Sequence, residues 1–114
     1  MDDCIFCKII KGEITSTKVY ENQYIYAFKD IQPCAPVHVL VVPKKHIESA
    51  QKLTDEDTAL LGEIFKGINE VARITGVDKS GFRVVTNIGR DAGQSVLHLH
   101  FHVLGGRVFG ADFG

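Results

Sequence analysis

Three histidines alternate with apolar residues near the end of the chain, at His98, His100 and His102. In an extended strand, alternate side chains point to one face, which would place these imidazoles in a row with Cα atoms roughly 6.5–7 Å apart. The intervening residues are expected to face the core: Leu97, Leu99, Phe101 and Val103. Three imidazolium charges at that spacing would repel, so some rings should be neutral near pH 7. A neutral imidazole can be a nucleophile, a metal ligand or a hydrogen-bond partner.

The loop that precedes this row, Gly93-Gln94-Ser95, has the composition of an anion-binding turn. It combines a glycine, backbone N–H groups and a hydroxyl, so a phosphate bound there would lie beside the histidines. A single histidine on a strand is usually structural, but three in strict alternation against an apolar face are poorly explained by packing. The row is therefore the first candidate for a catalytic site.

A second set of chemical groups lies near the start of the chain, in Cys4-x-x-Cys7. Two thiolates at this spacing can bind one zinc ion, with histidines completing a tetrahedral set. An isolated pair of this kind also occurs in redox proteins or by chance. The redox interpretation prefers a helix that follows a strand, and no strand is expected before Cys4. The third cysteine, Cys34, has no assigned role.

Two helices are expected from apolar spacing. The first is a short helix over residues 5–11, which Gly12 would end. The second covers residues 54–75, with Thr54 as N-cap, acidic residues in its first turn and Gly76 after its last residue. The apolar stripe of this long helix indicates core packing.

Five strands are expected, at residues 18–20, 23–29, 37–42, 81–87 and 97–104, with loops at 31–36 and 88–95. Only one of the two helices lies between strands in the chain. A mostly antiparallel five-stranded α+β sheet is therefore favoured over a doubly wound one. A chain of 114 residues fits one domain, residues 1–114.

Composition excludes several classes of protein. A formal net charge of −1 with scattered basic residues gives no footprint for nucleic-acid binding. The longest apolar run, residues 39–42, is far too short to cross a membrane. The acidic start lacks the features of a secretory signal, and three cysteines fit a reducing compartment. We therefore expect a cytoplasmic protein with no membrane or nucleic-acid partner.

The stretch His98-Leu99-His100-Phe101-His102-Val103-Leu104 resembles the signature of the histidine triad (HIT) superfamily, His-φ-His-φ-His-φ-φ, where φ is apolar. The resemblance covers nearly the whole chain and points to the Hint branch, the purine nucleoside phosphoramidases. Further matching stretches begin at Ile5, Ala27, Ala35, Pro43, Gly93 and Leu104.

The resemblance implies a reaction. His100 would attack the α-phosphorus of an adenosine 5′-phosphoramidate or acyl-adenylate, and water would release AMP from the covalent nucleotidyl-histidine. This role requires a lone pair on His100 Nε2, so its Nδ1–H should be bonded to a backbone carbonyl. His102 would stabilise charge on the phosphate oxygens, and Ser95 would lie near the leaving group.

The remaining nucleotide contacts are also implied by the resemblance. Asp30 would accept from the ribose hydroxyls, Phe6 and Ile31 would line the purine pocket, and Asn87 would contact the phosphate. His38 would support the site, and the phosphate loop would comprise Gly93, Gln94, Ser95 and Val96. From the residues alone, Asp30 is equally an exposed loop acid, and the two apolar residues are equally core.

Some relatives, including the uridylyltransferase branch, hold a structural zinc ion through positions that match Cys4, Cys7, His46 and His98. A zinc-bound His98 could not also be a free acid–base group. The family also forms homodimers across the long helix and a strand. This chain lacks the tryptophan common in the relatives' C-terminal tails, and its tail ends at Phe113 and Gly114.

Two other functions stay open at this point. One is a nucleotide- or partner-binding module with little turnover. The other is a dinucleoside polyphosphate hydrolase, as in the Fhit branch of the same superfamily. The match of residues 93–96 and 104–107 to the Hint pattern favours the phosphoramidase.

Overall fold

The computed structural model describes residues 3–113, and within them the chain forms one sheet and two α-helices. The helices are α1 (Ile5–Ile10) and α2 (Thr58–Thr75), and the strands are β1 (Lys18–Glu21), β2 (Ile25–Lys29), β3 (Val37–Pro43), β4 (Arg83–Val85) and β5 (Phe101–Gly105). The strand order is β1-β2-β3-β5-β4, and all neighbours are antiparallel. The expected α+β class is confirmed.

The middle of the sheet is covered on both faces, which explains the continuous apolar run of β3. Alternate residues of β2 and β3 pack under α2, namely Ile25, Ala27, Val39 and Val41. The residues between them pack under α1: Tyr26, Phe28, Leu40 and Val42. At Gly67 a Cβ atom would lie 2.9 Å from the Ile25 side chain, so the glycine allows α2 to approach the sheet closely.

The long helix begins later than the expected residue 54. Thr54 caps a 3-10 turn, Asp55–Asp57, through a capping box, and the α-helix follows from Thr58. Asp57 is buried and bonds Lys45 Nζ at 2.6 Å, which ties this turn to the segment after β3. The helix ends as expected, with Gly76 in the left-handed conformation at φ 81°.

The last strand is shorter than expected, and the prediction for Leu97 was wrong. The strand begins at Phe101, opposite Val41, and Leu97 is 57% exposed rather than in the core. A continued ladder would need Pro43, which has no N–H to donate, and the His98 side chain binds the Pro43 carbonyl. The segment instead bonds the loop after β3, through Leu99 N–H to Ile47 O at 2.6 Å.

Two other strands also begin late, and β4 ends early. The side-chain oxygen of Asn22 accepts from the backbone N–H of Tyr24 and Ile25, so a turn replaces the expected start of β2 at residue 23. The strand expected over 81–87 is paired only from Arg83 to Val85. No helix within residues 3–113 is long and apolar enough to cross a membrane.

Candidate active site and metal-binding cluster

His98 is completely buried at the end of β3, and its ring has a defined proton position. Its Nε2 lies 2.8 Å from the carbonyl oxygen of Pro43. A carbonyl only accepts, so Nε2 carries the hydrogen and the neutral ring keeps a lone pair on Nδ1. Three groups face this lone pair: Cys4 Sγ at 3.4 Å, Cys7 Sγ at 3.6 Å and His46 Nδ1 at 3.1 Å.

Helix α1 brings the two thiols together. Cys4 is the N-cap of α1, and its sulfur accepts from the Cys7 N–H at 3.4 Å. The first helical turn thereby places both sulfurs on one side, and Cys7 Sγ also lies 3.4 Å from His46 Nδ1. Burial, followed by the hydrogen bond and charge of Cys4, raises the pKa of the Cys7 thiol. A cation would reverse this shift by stabilising the thiolates.

The four groups are spaced like the ligands of a tetrahedral metal site. Metal–sulfur bonds of about 2.3 Å and metal–nitrogen bonds of about 2.0–2.1 Å imply S–N separations near 3.6 Å and an N–N separation near 3.3 Å. The S–N separations are 3.4 Å for Cys4 and His98, 3.6 Å for Cys7 and His98 and 3.4 Å for Cys7 and His46, and the N–N separation is 3.1 Å. The group can therefore hold a metal ion: Cys4, Cys7, His46 and His98.

His100 is held by backbone groups. Its Nδ1 lies 2.7 Å from the His98 carbonyl oxygen, so Nδ1 donates and Nε2 keeps a free lone pair. The carbonyl of His100 accepts from the Thr86 hydroxyl at 2.8 Å, which links this residue to the segment after β4. The Phe6 ring contacts the imidazole edge-to-face at 5.1 Å. This is the ring geometry that a nucleophilic histidine requires.

His102 lies in β5, between Leu40 of β3 and Val85 of β4. Burial, with smaller contributions from the charges of His100 and His38, lowers its pKa to about 4. The ring is therefore neutral near pH 7. Its Nδ1 lies 2.9 Å from His38 Nε2.

His38 is the buried partner of His102 and begins a cluster with Asp30. Its Nδ1 accepts from the Cys34 N–H at 3.1 Å, and its Nε2 lies 3.3 Å from Asp30 Oδ2. Burial lowers the pKa of His38, and Asp30 only partly opposes this. The contact with Asp30 is consequently between a carboxylate and a neutral ring near pH 7, and it is not an ion pair.

A cavity of about 360 Å³ opens beside the histidine row. Seven of the residues expected to bind nucleotide line it: Phe6, Asp30, Ile31, Ser95, Val96, His100 and His102. Ile31 is 94% exposed and so lies at the surface, whereas Phe6 is also part of the core between α1 and the sheet. The structure thus brings apolar, hydroxyl, carboxylate and imidazole groups to one opening.

Four expected nucleotide contacts lie elsewhere. His38 and Asn87 line a second cavity of about 440 Å³, which also reaches His102. Gly93 and Gln94 line neither cavity. The Gln94 side chain instead stabilises its loop, because its Oε1 accepts from the Gly89 N–H and its Nε2 donates to the Glu48 carbonyl.

Three contributors were not expected from the sequence. They are the Pro43 carbonyl, the Thr86 hydroxyl and the Cys34 backbone amide, which bond His98, the His100 carbonyl and His38 respectively. Two of the three are main-chain groups that almost every residue possesses, so no side-chain pattern could reveal them.

The fold and the site together define a small α+β protein. One segment contributes His98 to the cysteine–histidine cluster and, two residues later, His100, whose free Nε2 lone pair can act as a nucleophile. The HIT domain family matches residues 11–109. The chain belongs to this family. The two cysteines of the cluster, Cys4 and Cys7, lie outside the matched range.

Similar proteins cover almost the whole chain. An uncharacterized HIT-like protein of Synechocystis is 49% identical over 108 residues, 95% of this chain and 94% of the relative. Protein HitA of Neisseria gonorrhoeae is 43% identical over 105 residues, 92% and 97% of the two chains. A solved HIT family hydrolase from Clostridium thermocellum is 46% identical, covers 98% and 97% of the two chains and has a TM-score of 0.96. A histidine triad protein from Clostridium difficile is 48% identical, covers 99% and 98%, and has a TM-score of 0.94.

Proposed function

We propose that this protein is a purine nucleoside phosphoramidase, which hydrolyses adenosine 5′-phosphoramidates or acyl-adenylates to AMP. The observation that carries the proposal is the hydrogen bond of His100 Nδ1 to the His98 carbonyl, because it leaves Nε2 as a free nucleophile in a ring that lines the cavity. The name of the Clostridium thermocellum relative, a HIT family hydrolase, supports hydrolysis.

The reaction has two displacements at phosphorus. The Nε2 lone pair of His100 forms a bond to the α-phosphorus, and the bond from phosphorus to the leaving amine or carboxylate breaks. The departing group takes its electron pair, and an amine also takes a proton from solvent. Water then forms the new P–O bond and gives a proton to solvent as the Nε2–P bond breaks. AMP is released and the free histidine is restored.

The other cavity residues bind and orient the nucleotide in this proposal. His102 donates to the phosphoryl oxygens, and Ser95 lies on the leaving-group side. Asp30 accepts from the ribose hydroxyls, while Phe6 and Ile31 contact the purine. Asn87 reaches the phosphate from the second cavity, and His38 supports the site through its contact with His102. The phosphate loop is formed by Gly93, Gln94, Ser95 and Val96.

We further propose that the cysteine–histidine cluster binds one zinc ion. Its two sulfurs and two ring nitrogens are the donor set of closed structural zinc sites, and the Pro43 carbonyl orients His98 as expected for a ligand. The ion, when bound, would join the N-terminal segment to the catalytic segment, and the residues of the cavity carry out the reaction. Free thiols and a thiolate site agree with a reducing, cytoplasmic location.

We also propose a homodimer, formed through α2 and an edge strand. Among the described residues, β4 pairs only with β5 and so leaves an edge of the sheet. Helix α2 exposes Phe65 by 42% and Ile74 by 46%. Analytical ultracentrifugation should find twice the chain mass, and a monomer at micromolar concentration would contradict this assignment.

The proposed activity is tested with adenosine 5′-phosphoramidate and a diadenosine polyphosphate as parallel substrates. We expect turnover of the phosphoramidate, and His100→Ala should reduce kcat at least about 10³-fold because the nucleophile is lost. AMP affinity, measured by calorimetry, should change little. Retained turnover in His100→Ala would contradict the covalent mechanism. Preference for the diadenosine compound would identify the polyphosphate hydrolase, and AMP binding without turnover of either would identify a binding module.

A further inference from the structure

A line of hydrogen bonds runs from the loop before β3 to the last histidine of the row. It begins at the backbone N–H of Cys34, 3.1 Å from His38 Nδ1. The other nitrogen of that ring, His38 Nε2, lies 2.9 Å from His102 Nδ1. A backbone amide can only donate, so the Cys34 N–H sets the direction of the bonds that follow.

This direction determines which nitrogen of each neutral ring carries its proton. Because His38 Nδ1 accepts from the amide, the single hydrogen of His38 must be on Nε2. That hydrogen is donated to His102 Nδ1, and His102 consequently carries its own proton on Nε2. The reverse direction would put a proton on His38 Nδ1 and bring two N–H groups face to face at Cys34.

The acidic neighbour favours the same direction. Asp30 Oδ2 lies 3.3 Å from His38 Nε2, and the negative carboxylate favours an N–H rather than a lone pair at that nitrogen. The other carboxylate oxygen, Oδ1, accepts from the Gln32 N–H at 2.8 Å, which holds Asp30 in place. A backbone donor on one side of His38, with a ring acceptor and a nearby carboxylate on the other, therefore specifies one tautomer.

We infer that His38, oriented by the Cys34 backbone amide, is a positioning residue that keeps the proton of His102 on Nε2. The consequence for catalysis rests on the proposed function: an Nε2–H donates to a phosphoryl oxygen, whereas a bare nitrogen would repel it. His100 needs the opposite arrangement, with its proton on Nδ1. Two adjacent rings of the row are thus held in opposite tautomers, one by a backbone carbonyl and the other by a backbone amide.

An isosteric pair of variants tests the direction of the line, His38→Gln against His38→Glu. Glutamine can accept from Cys34 with its oxygen and donate to His102 with its amide, but a carboxylate can only accept. Nitrogen-15 NMR of the free protein should find the His102 proton on Nε2 in the wild type and in His38→Gln, and on Nδ1 in His38→Glu. An unchanged His102 ring in His38→Glu, or an Nδ1 proton in the wild type, would overturn the inference.

The role of the amide is tested at Cys34, whose side chain is exposed. Cys34→Pro removes the N–H, whereas Cys34→Ala keeps it. Mixed tautomers of His38 and His102 are expected in the proline variant, and wild-type spectra in the alanine variant. Wild-type spectra in a folded Cys34→Pro variant would refute the claim that the Cys34 N–H sets the tautomer of His38. If circular dichroism shows that this variant is unfolded, the His38 pair still decides the inference.

Kinetics with adenosine 5′-phosphoramidate separate this inference from the proposed activity. His38→Gln should stay within about tenfold of wild-type kcat, whereas His38→Glu should lose about 10³–10⁴-fold, as a catalytic histidine does in the wrong tautomer. KM should change less than kcat. Equal turnover of the two variants despite a reversed tautomer would refute the positioning role. No turnover in the wild type would refute the proposed function and leave the NMR result standing.

Discussion

The two ends of the histidine row lie in two clusters of possible metal ligands, which differ in how their ring nitrogens are hydrogen-bonded. At one end His98 meets two cysteines and His46, and at the other His102 meets His38 and Asp30. In each cluster the possible ligand atoms lie within 4.8 Å of one another. Residue type and proximity alone would make both of them metal sites.

Proton positions separate the two clusters. The ring N–H of His98 is used by the Pro43 carbonyl, so the ring presents a bare lone pair to two sulfurs and another imidazole. A bound cation would stabilise these converging lone pairs. In the other cluster the Cys34 N–H meets a lone pair of His38, and the His38 N–H meets a lone pair of His102. There is a donor for each of these ring acceptors, so the second cluster is complete without an ion.

The largest expected effect is the loss of the metal from the first cluster. Cys7→Ala should release the ion and lower the free energy of unfolding by several kcal/mol, because structural metal binding contributes directly to folding. Metal content by plasma mass spectrometry and urea denaturation provide the measurements. The wild type should contain one ion per chain, since, of the two clusters within residues 3–113, the first alone presents ring and sulfur lone pairs that no donor satisfies.

Cys34→Ala is the matched control, because it removes the cysteine that is exposed and outside the cluster. Its metal content and stability should equal those of the wild type. Metal-free wild-type protein would refute the assignment of the first cluster. Two ions per chain, with one lost in Asp30→Ala, would show that the second cluster binds metal and that the distinction drawn from the proton positions is wrong.

A smaller effect is expected from acid, which should act on the second cluster through His102. Its pKa falls from 6.5 to about 4 on folding, so between these values the unfolded chain binds the proton and the folded protein does not. The stability that this ring contributes is therefore fully present above about pH 6.5 and is lost as the pH falls toward 4. Through this ring, the free energy of unfolding changes by at most about 1.4 kcal/mol per pH unit.

The contribution of His102 is isolated by comparison with His102→Asn, in urea denaturation at several values between pH 4 and pH 7. Both proteins lose stability as metal ligands protonate, but the wild type should lose more. Parallel curves for the two proteins would mean that the ring is not neutralised by folding. A steeper curve for the variant would reverse the predicted sign.

The parts of the fold that sequence reasoning predicted correctly depend on local patterns. Helix α2 and strand β3 follow from the periodicity of apolar residues within one segment, and Gly76 ends α2 because it adopts a conformation that other residues rarely take. The start of β5 could not be predicted in this way. It depends on contact between His98 and Pro43, which are 55 positions apart.

The same distinction between local patterns and long-range contacts applies to the candidate site. The alternation of the three histidines predicted a row of rings on one strand, and only the family resemblance gave the three rings different roles. The structure gives each ring a different partner: the Pro43 carbonyl, the His98 carbonyl and the His38 ring. The requirement for a nucleophile predicted a backbone carbonyl at His100 but did not say which one. The partners of His98 and His102 come from chain segments far away in the sequence, which a residue pattern does not specify.

The smallest expected effect concerns the ring between the two clusters. Thr86 donates its hydroxyl to the His100 carbonyl at 2.8 Å, in the part-buried segment beside β5. Thr86→Val keeps the shape of the side chain but leaves that carbonyl without this donor, which should cost about 1 kcal/mol of stability. Thr86→Ser keeps the hydroxyl and is the matched control. Because neither cluster includes Thr86, metal content and the tautomer of His102 should stay unchanged while kcat falls several-fold in the valine variant alone. A change in either cluster would show that the three histidines are coupled through the backbone, and not held separately as the contacts indicate.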